Sequence, residues 1–236
     1  SKNYKIFALS FNYGQNHCIE ISKAKANIDY FKSNGYIINH KIIDLSDCAN
    51  ILQSSLTNSK NEIPEGYYEQ KNMKDTVVPN RNAIFSSIIY GYALSILKRT
   101  KNRVKISLGV HSGDHAIYPD CRKEFYDQLM NAFKIGNWES DKIDLYLPYL
   151  RFNKSDILID ALESTKKLNL SFENVFKNTI TSYNPDNNGI SEGKTGSDVE
   201  RILAFDKIGM EDPLKYKYKW NDVLDYAKSV EKKFKK

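Results

Sequence analysis

The sequence predicts an α/β protein with a mostly parallel sheet. Short apolar, β-branched runs alternate along the chain with longer segments whose apolar residues recur at helical spacing, a pattern typical of strand–helix–strand units. Hydrophobic residues make up 41% and charged residues 27% of the 236 residues, which suits a packed core rather than a disordered chain. We expect a doubly wound sheet formed by residues 1–150 and a smaller C-terminal subdomain of helices and loops formed by residues 151–236.

Periodicity and breakers place each element in order. Strands are predicted over residues 5–11, 36–45, 104–110 and 143–148, because each run is short, apolar and rich in β-branched or aromatic residues. Helices are predicted over residues 19–34, 83–98, 122–135, 153–168, 198–208 and 220–234. Residues 47–75 form a long polar connection, and loops of that length are commonly lids or mobile segments.

Two helix starts carry capping signals. Asn82 is predicted to cap the helix over residues 83–98, and the N-terminus of that helix is a natural anion site. Arg81 beside it could bind a phosphate or carboxylate, or form a surface ion pair. Ser197 and Glu200 have the spacing of a capping box for the helix over residues 198–208.

A polar loop follows the apolar run at residues 104–110. Ligands of parallel α/β sheets bind at the carboxyl ends of strands, so this loop is a candidate site. The alternative is a solvated turn that happens to be polar. The loop carries His111, Ser112, Asp114, His115, Tyr118 and Asp120.

Charge and cysteine content narrow the class of protein. The net charge of +6 fits an anionic small ligand such as a nucleotide, weak attraction to nucleic acid, or simply solvated lysines. Three widely spaced cysteines with no CxxC pair argue against a disulfide scaffold and fit a reducing compartment. No secretory signal and no apolar run of membrane-spanning length is visible, so a cytoplasmic protein without a membrane partner is expected.

Several stretches together resemble one family. The stretches are ALSFNYGQNH at residues 8–17, SLT at 55–57, VPNRN at 78–82, GVHSGDHAIYPDCRKEF at 109–125, and a C-terminal set of Arg201, Ala204, Phe205, Gly209, Asp212 and Pro213. In this order they resemble the 7-cyano-7-deazaguanine synthase (QueC) family, whose members are similar to ATP pyrophosphatases of the adenine-nucleotide α-hydrolase kind. The resemblance covers nearly the whole chain and implies a Rossmann-like fold.

The resemblance also implies a reaction. An ATP-dependent C–N ligase of this family converts 7-carboxy-7-deazaguanine and ammonia to 7-cyano-7-deazaguanine in queuosine-type deazapurine biosynthesis, with ATP and Mg²⁺. It implies a homodimer and no direct nucleic-acid partner. The alternatives are a QueC-like protein used for deazaguanine attachment or defence, and a non-catalytic binding fragment.

Position by position, the resemblance implies a set of site residues. Asp114 or Asp120 would bind Mg²⁺ or the deazaguanine edge, and both assignments stay open. Cys121 is interpreted as a packed thiol rather than a nucleophile, since no base is adjacent to it. The catalytic set is Arg81, Asp114, Asp120 and Arg122, and the nucleotide-binding set is Ser10, Phe11, Tyr13, Gln15, Asn80, Asn82 and Gly109, with His17 and Tyr118 in the same pocket.

The chain departs from the family pattern in two places. The family's SGGxDS pyrophosphate loop is not among the residues given, so we expect this chain as given to be incomplete for catalysis. The family's four zinc-binding cysteines correspond to Ser182, Glu192, Thr195 and Asp198, which lack a thiolate. No zinc is therefore expected, and residues 179–197 should be a loop held by turns and by the Ser197–Glu200 cap.

Overall fold

The structure confirms a mixed α/β protein with parallel strands. It is a computed structural model that describes residues 4–15, 19–47, 51–52, 54–57, 65–67 and 71–235. The described strands form two parallel pairs, and each pair is joined through a helix. A parallel pair needs such a crossover connection, because the chain must return to the end of the sheet from which the first strand started. No helix within these ranges is both long and apolar enough to cross a membrane.

Most elements lie where the hydrophobic pattern predicts them. The strands are β1 (Ile6–Asn12), β2 (Ile38–Asp44), β3 (Val104–Ser107) and β4 (Ile143–Tyr146). The helices are α1 (Ile19–Ser33), α2 (Arg81–Thr100), α3 (Lys123–Gly136), α4 (Lys154–Lys167), α5 (Phe172–Phe176), α6 (Gly196–Lys207) and α7 (Trp220–Phe234). The sequence pattern missed α5, because five residues are too few to show a helical period.

The chain divides into two compact units, one formed by Ser1–Val78 with Lys154–Lys236 and the other by Pro79–Asn153. The predicted division at residue 150 does not coincide with these units. The first strand pair belongs with the C-terminal helices because α1 is bound to the segment that follows α4. Lys23 and Asn27 of α1 donate hydrogen bonds to the carbonyls of Lys177 and Asn178, and the Tyr36 hydroxyl donates to the carbonyl of Leu168.

The unit Pro79–Asn153 is built around one apolar cluster. Tyr90, Ala93 and Leu97 of α2 pack against Ile106 of β3 and Ile143 of β4, and all five are buried. The ring of Tyr90 also stacks on Phe133 of α3, with centroids 4.6 Å apart. This packing holds α2 against β3 and β4. The polar residues of this unit stand at the start of α2 and in the loop after β3.

Two predicted caps are wrong. Asn80, in the left-handed conformation at φ 58°, occupies the N-cap position of α2, whereas Asn82 lies inside the helix. At α6 the capping box is formed by Thr195 and Asp198, because the helix begins two residues earlier than predicted. The Glu200 carboxylate instead accepts a hydrogen bond from Lys154 of α4 at 2.6 Å.

Helix α6 carries a buried ion pair. Arg201 and Asp212 are 4% and 7% exposed. The guanidinium donates from Nε to Oδ2 at 2.5 Å and from Nη2 to Oδ1 at 2.8 Å. Its Nη1 donates to Thr179 at 2.8 Å, and the Tyr216 hydroxyl donates to Asp212 at 2.8 Å. Both charges are thus compensated, as buried charges must be.

We therefore expect Asp212→Ala to lower the free energy of unfolding by about 3–5 kcal/mol, because it leaves a buried guanidinium unpaired. Asp144→Ala is the matched control, since it breaks the exposed Arg103–Asp144 pair at 3.1 Å. The control should change the free energy of unfolding by less than about 1 kcal/mol. Urea denaturation of both variants measures the difference, and similar effects would contradict the assignment.

Candidate active site

Polar residues meet at the carboxyl ends of β1 and β2. The parallel register pairs Asn12 with Asp44, the last residues of the two strands. The amide of Asn12 donates to Asp44 Oδ1 at 3.2 Å, and its own Oδ1 accepts from the N–H of Gly14. Hydrogen bonds from Ser46 hold the pKa of the Asp44 carboxyl below its usual range, so a fixed negative charge stands at this strand end.

The turn after β1 is closed by a glutamine. Gln15 is buried, and its Oε1 accepts the Tyr13 N–H at 2.9 Å while its Nε2 donates to the Phe11 carbonyl at 3.4 Å. Tyr13 is also buried. Both predicted site residues therefore shape the turn itself. The predicted site residue His17 falls within residues 16–18, which lie outside the described residues.

Ser10 and Phe11 are half-buried on β1. The Ser10 hydroxyl lies 2.9 Å from Nε2 of His40 on β2. Burial, reinforced by Lys32 and Lys25, lowers the pKa of His40, so a neutral imidazole is the partner of this hydroxyl. The sequence analysis did not select His40 as a site residue. The only signal for it is that a histidine occurs in the strand predicted over residues 36–45.

In the other unit, the first turn of α2 contacts the YPDC segment. The Asn82 amide donates to the Asp120 carbonyl and to Cys121 Sγ, both at 3.4 Å. Asn82 thus holds the segment rather than capping the helix. Asn80 and Gly109 are exposed, and a Cβ at Gly109 would meet nothing within 4 Å, so the backbone after β3 faces open space.

The loop after β3 is ordered by its own polar side chains. His111, buried at 8% exposure, accepts the Gly113 N–H at its Nδ1 at 3.1 Å. The ring proton of the neutral form is then on Nε2, which lies 3.5 Å from Asp114 Oδ2. The Asp114 carbonyl accepts the N–H of buried Tyr118 at 2.8 Å, which turns the chain toward Cys121.

Charges of both signs surround the Cys121 thiol. Burial, together with the carboxylates of Asp114 and Asp120, raises the pKa of Cys121 to about 12, although Arg81 opposes the shift. Burial and the carboxylates of Asp120 and Asp114 also raise the pKa of Tyr126, and Arg81 again opposes the shift. Arg81, Asp114 and Asp120 therefore lie close enough to act on one buried point, and the thiol they surround is protonated.

Arg122 is placed differently from the other predicted catalytic residues. It is exposed, and its Nε donates to the carbonyl of His115 at 2.9 Å, which ties the start of α3 to the preceding loop. The structure thus brings Arg81, Asn82, Asp114 and Asp120 together around Cys121. We call these five residues the Cys121 cluster.

The Cys121 cluster has the chemistry of an anion site with carboxylates beside it. A guanidinium can neutralise a phosphate or carboxylate, and two carboxylates can bind a hard cation together with ligand oxygens. Within the described ranges, no three His, Cys, Asp or Glu side chains gather as a metal cluster. Two carboxylates suffice for Mg²⁺, which keeps water and substrate phosphates as its remaining ligands.

The protonated state of Cys121 can be tested by alkylation. At pH 8 a thiol with a pKa of about 12 is ionised to only about one part in ten thousand, and Cys121 is 4% exposed. Iodoacetamide should therefore leave Cys121 unmodified in the folded protein and modify it in urea, as measured by peptide mass mapping. Rapid modification of the folded protein would show an activated thiol instead.

Comparison with known proteins adds an independent line of evidence. The model of the family described as queuosine biosynthesis protein QueC matches residues 1–209. A 7-cyano-7-deazaguanine synthase 1 of Colwellia psychrerythraea is 40% identical over 212 residues, which cover 90% of this chain and 87% of the relative. A 7-cyano-7-deazaguanine synthase of Caldicellulosiruptor saccharolyticus is 37% identical over 216 residues, covering 92% and 86%.

A third relative agrees with the first two. A 7-cyano-7-deazaguanine synthase of Hahella chejuensis is 41% identical over 212 residues, which cover 90% of this chain and 82% of the relative. The family match spans β1 to the end of α6 and includes every residue of the Cys121 cluster. The chain belongs to the QueC family of queuosine biosynthesis proteins.

Proposed function

We propose that this protein is an ATP-dependent C–N ligase that converts 7-carboxy-7-deazaguanine and ammonia to 7-cyano-7-deazaguanine. Family membership and the shared name of its relatives support the product. The observation that carries the proposal is the Cys121 cluster, because a reaction between two anions needs a fixed cation and carboxylates that can bind a metal.

The chemistry explains why ATP is consumed. A carboxylate resists attack by ammonia, since its oxygen is a poor leaving group. Attack of that oxygen on the α-phosphorus of ATP releases pyrophosphate, and ammonia then displaces AMP to form the amide. A second ATP-driven step removes the amide oxygen as part of the leaving nucleotide, and loss of the two amide protons gives the nitrile.

Each charged residue of the cluster has a role in this proposal. Arg81 binds the substrate carboxylate or a phosphate and neutralises charge that develops during transfer. Asp114 and Asp120 would hold Mg²⁺, which supplies charge neutralisation on phosphate oxygens. His111 orients Asp114 through the 3.5 Å contact, and Asn82 is a positioning residue because its amide is bound to Cys121 and Asp120.

The nucleotide-binding residues remain predictions of the resemblance. Ser10, Phe11, Tyr13 and Gln15 stand at the end of β1 and in the turn after it, the place where parallel strands offer N–H groups to ligands. Asn80 and Gly109 are exposed at a helix start and a strand exit, and Arg122 begins α3. The parallel pairs within each unit support a doubly wound, Rossmann-like sheet. The homodimer and the cytoplasmic location stay predictions.

We expect Arg81→Ala and Asp114→Asn each to lower kcat by about 10²- to 10³-fold, as loss of a preorganised charge does in other sites. The full-length protein would be assayed with ATP, Mg²⁺, ammonia and 7-carboxy-7-deazaguanine, following AMP release and the nitrile by mass spectrometry. Lys142→Ala is the control, because Lys142 forms an exposed ion pair with Glu139 and the substitution should leave kcat unchanged.

Two outcomes would contradict the proposal. Unchanged kcat in both site variants would remove the Cys121 cluster from the reaction. Wild-type protein that binds nucleotide but does not convert this acid would indicate that the chain uses the family fold for another reaction. Thermal unfolding of the variants separates loss of chemistry from loss of fold.

A further inference from the structure

A buried carboxylate just inside α6 collects hydrogen bonds from several chain segments. Oδ2 of Asp198 accepts the Ser182 hydroxyl at 2.9 Å, the Ser191 hydroxyl at 2.8 Å and the Thr195 hydroxyl at 2.6 Å. The Thr195 N–H also donates to it, at 3.2 Å. None of these four residues is more than 6% exposed, so water does not compete for the carboxylate. We call them the Asp198 centre.

The Asp198 centre fastens a long irregular segment. It joins Asp198 to Ser182, Ser191 and Thr195, so three points of one loop meet at a single oxygen. Burial raises the pKa of Asp198 on balance, and the hydrogen bonds from Thr195, Ser191 and Ser182 oppose that rise by stabilising the ionised form. Charge-assisted bonds of this kind are stronger than neutral ones, so the centre can hold the loop on α6.

The same centre extends to the next segment of the chain. Ser191 forms a β-bridge with Tyr216, and its carbonyl accepts the Lys217 N–H at 2.9 Å. Tyr216 in turn donates to Asp212, the partner of Arg201. The two buried charges of α6 therefore organise residues 179–217 as one connected network.

The donor set does not fit the zinc that the family resemblance implies. Zinc is held by thiolate, imidazole or carboxylate ligands, whereas three of these four side chains are hydroxyls whose protons are directed at the fourth. The Ser182 and Ser191 oxygens are only 3.0 Å apart, so the two hydroxyls lie side by side at the carboxylate. A cation placed among these groups would have to displace every one of those bonds.

Glu192, the fourth residue that the resemblance aligns with a zinc ligand, is bound outside the Asp198 centre. The Glu192 carboxylate accepts from Lys194 at 2.9 Å and from Lys217 at 2.5 Å, and these two lysines lower the pKa of Glu192 to about 2. Ser191, not Glu192, enters the Asp198 centre. Gly193 follows in the left-handed conformation, and a Cβ there would come within 2.9 Å of Val223, so the turn after Glu192 requires glycine.

We propose that the Asp198 carboxylate takes the place of a structural metal ion and, with Ser182, Ser191 and Thr195, closes residues 182–198 without any metal. The centre satisfies its own charge through hydrogen bonds supplied by the loop. Stability of this region is then a property of the chain alone.

The first test uses the unmodified full-length protein, purified without chelator. Metal analysis should find much less than one zinc per chain, and excess EDTA should leave the Tm unchanged within about 1 °C, because no metal-linked folding energy is present. One tightly held zinc per chain, or a Tm that falls on adding EDTA and recovers with zinc, would overturn the proposal.

The second test compares neighbouring residues. Asp198→Asn and Ser191→Ala should lower the Tm by about 5 °C and about 2–4 °C, since each removes buried hydrogen bonds of the centre. Glu192→Ala is the matched control and should shift the Tm by less than about 2 °C, because its ion pairs are exposed. A larger effect of Glu192→Ala than of Ser191→Ala would contradict the assignment.

Discussion

The compensation of two buried charges on α6 is the constraint on which the larger unit depends. Asp198 and Arg201 lie one turn apart on a helix whose other buried residues are mostly apolar or small. A charge removed from water destabilises the protein unless partners replace its hydration, so every segment that supplies a partner is drawn to this helix. Residues 182–195 supply hydroxyls to Asp198. Thr179 supplies a hydroxyl to Arg201, and residues 212–216 supply the carboxylate and the phenol around it.

The candidate active site obeys a different rule. Around Cys121, the carboxylates of Asp114 and Asp120 and the guanidinium of Arg81 all act on one buried thiol. A site for phosphate and carboxylate needs charges of both signs, because a guanidinium neutralises an anion and carboxylates can bind a metal ion. The high pKa of Cys121 fits this picture, because the thiol packs as a neutral group beneath the charged side chains.

Some residues of the family motifs hold the backbone of their own segments. The VPNRN and YPDC segments are far apart in the chain, yet Asn82 joins them through its contacts with Asp120 and Cys121. The side-chain amide of Gln15 likewise bonds the backbone of the turn after β1. Part of the family pattern therefore maintains backbone geometry, through the side-chain amides of Asn82 and Gln15.

The sequence by itself determined the class of fold, nearly all helices and strands, and the family, because apolar periodicity and local motifs are properties of neighbouring residues. The resemblance also implied one catalytic group of Arg81, Asp114, Asp120 and Arg122, and that group stays a prediction. The sequence could not decide whether Thr195 with Asp198 or Ser197 with Glu200 forms the capping box of α6, since both pairs have the same spacing. Only the tertiary structure decided that, and decided that Ser191 rather than Glu192 reaches Asp198, because the outcome depends on which side chains are buried against α6 and α7 and which stay in water.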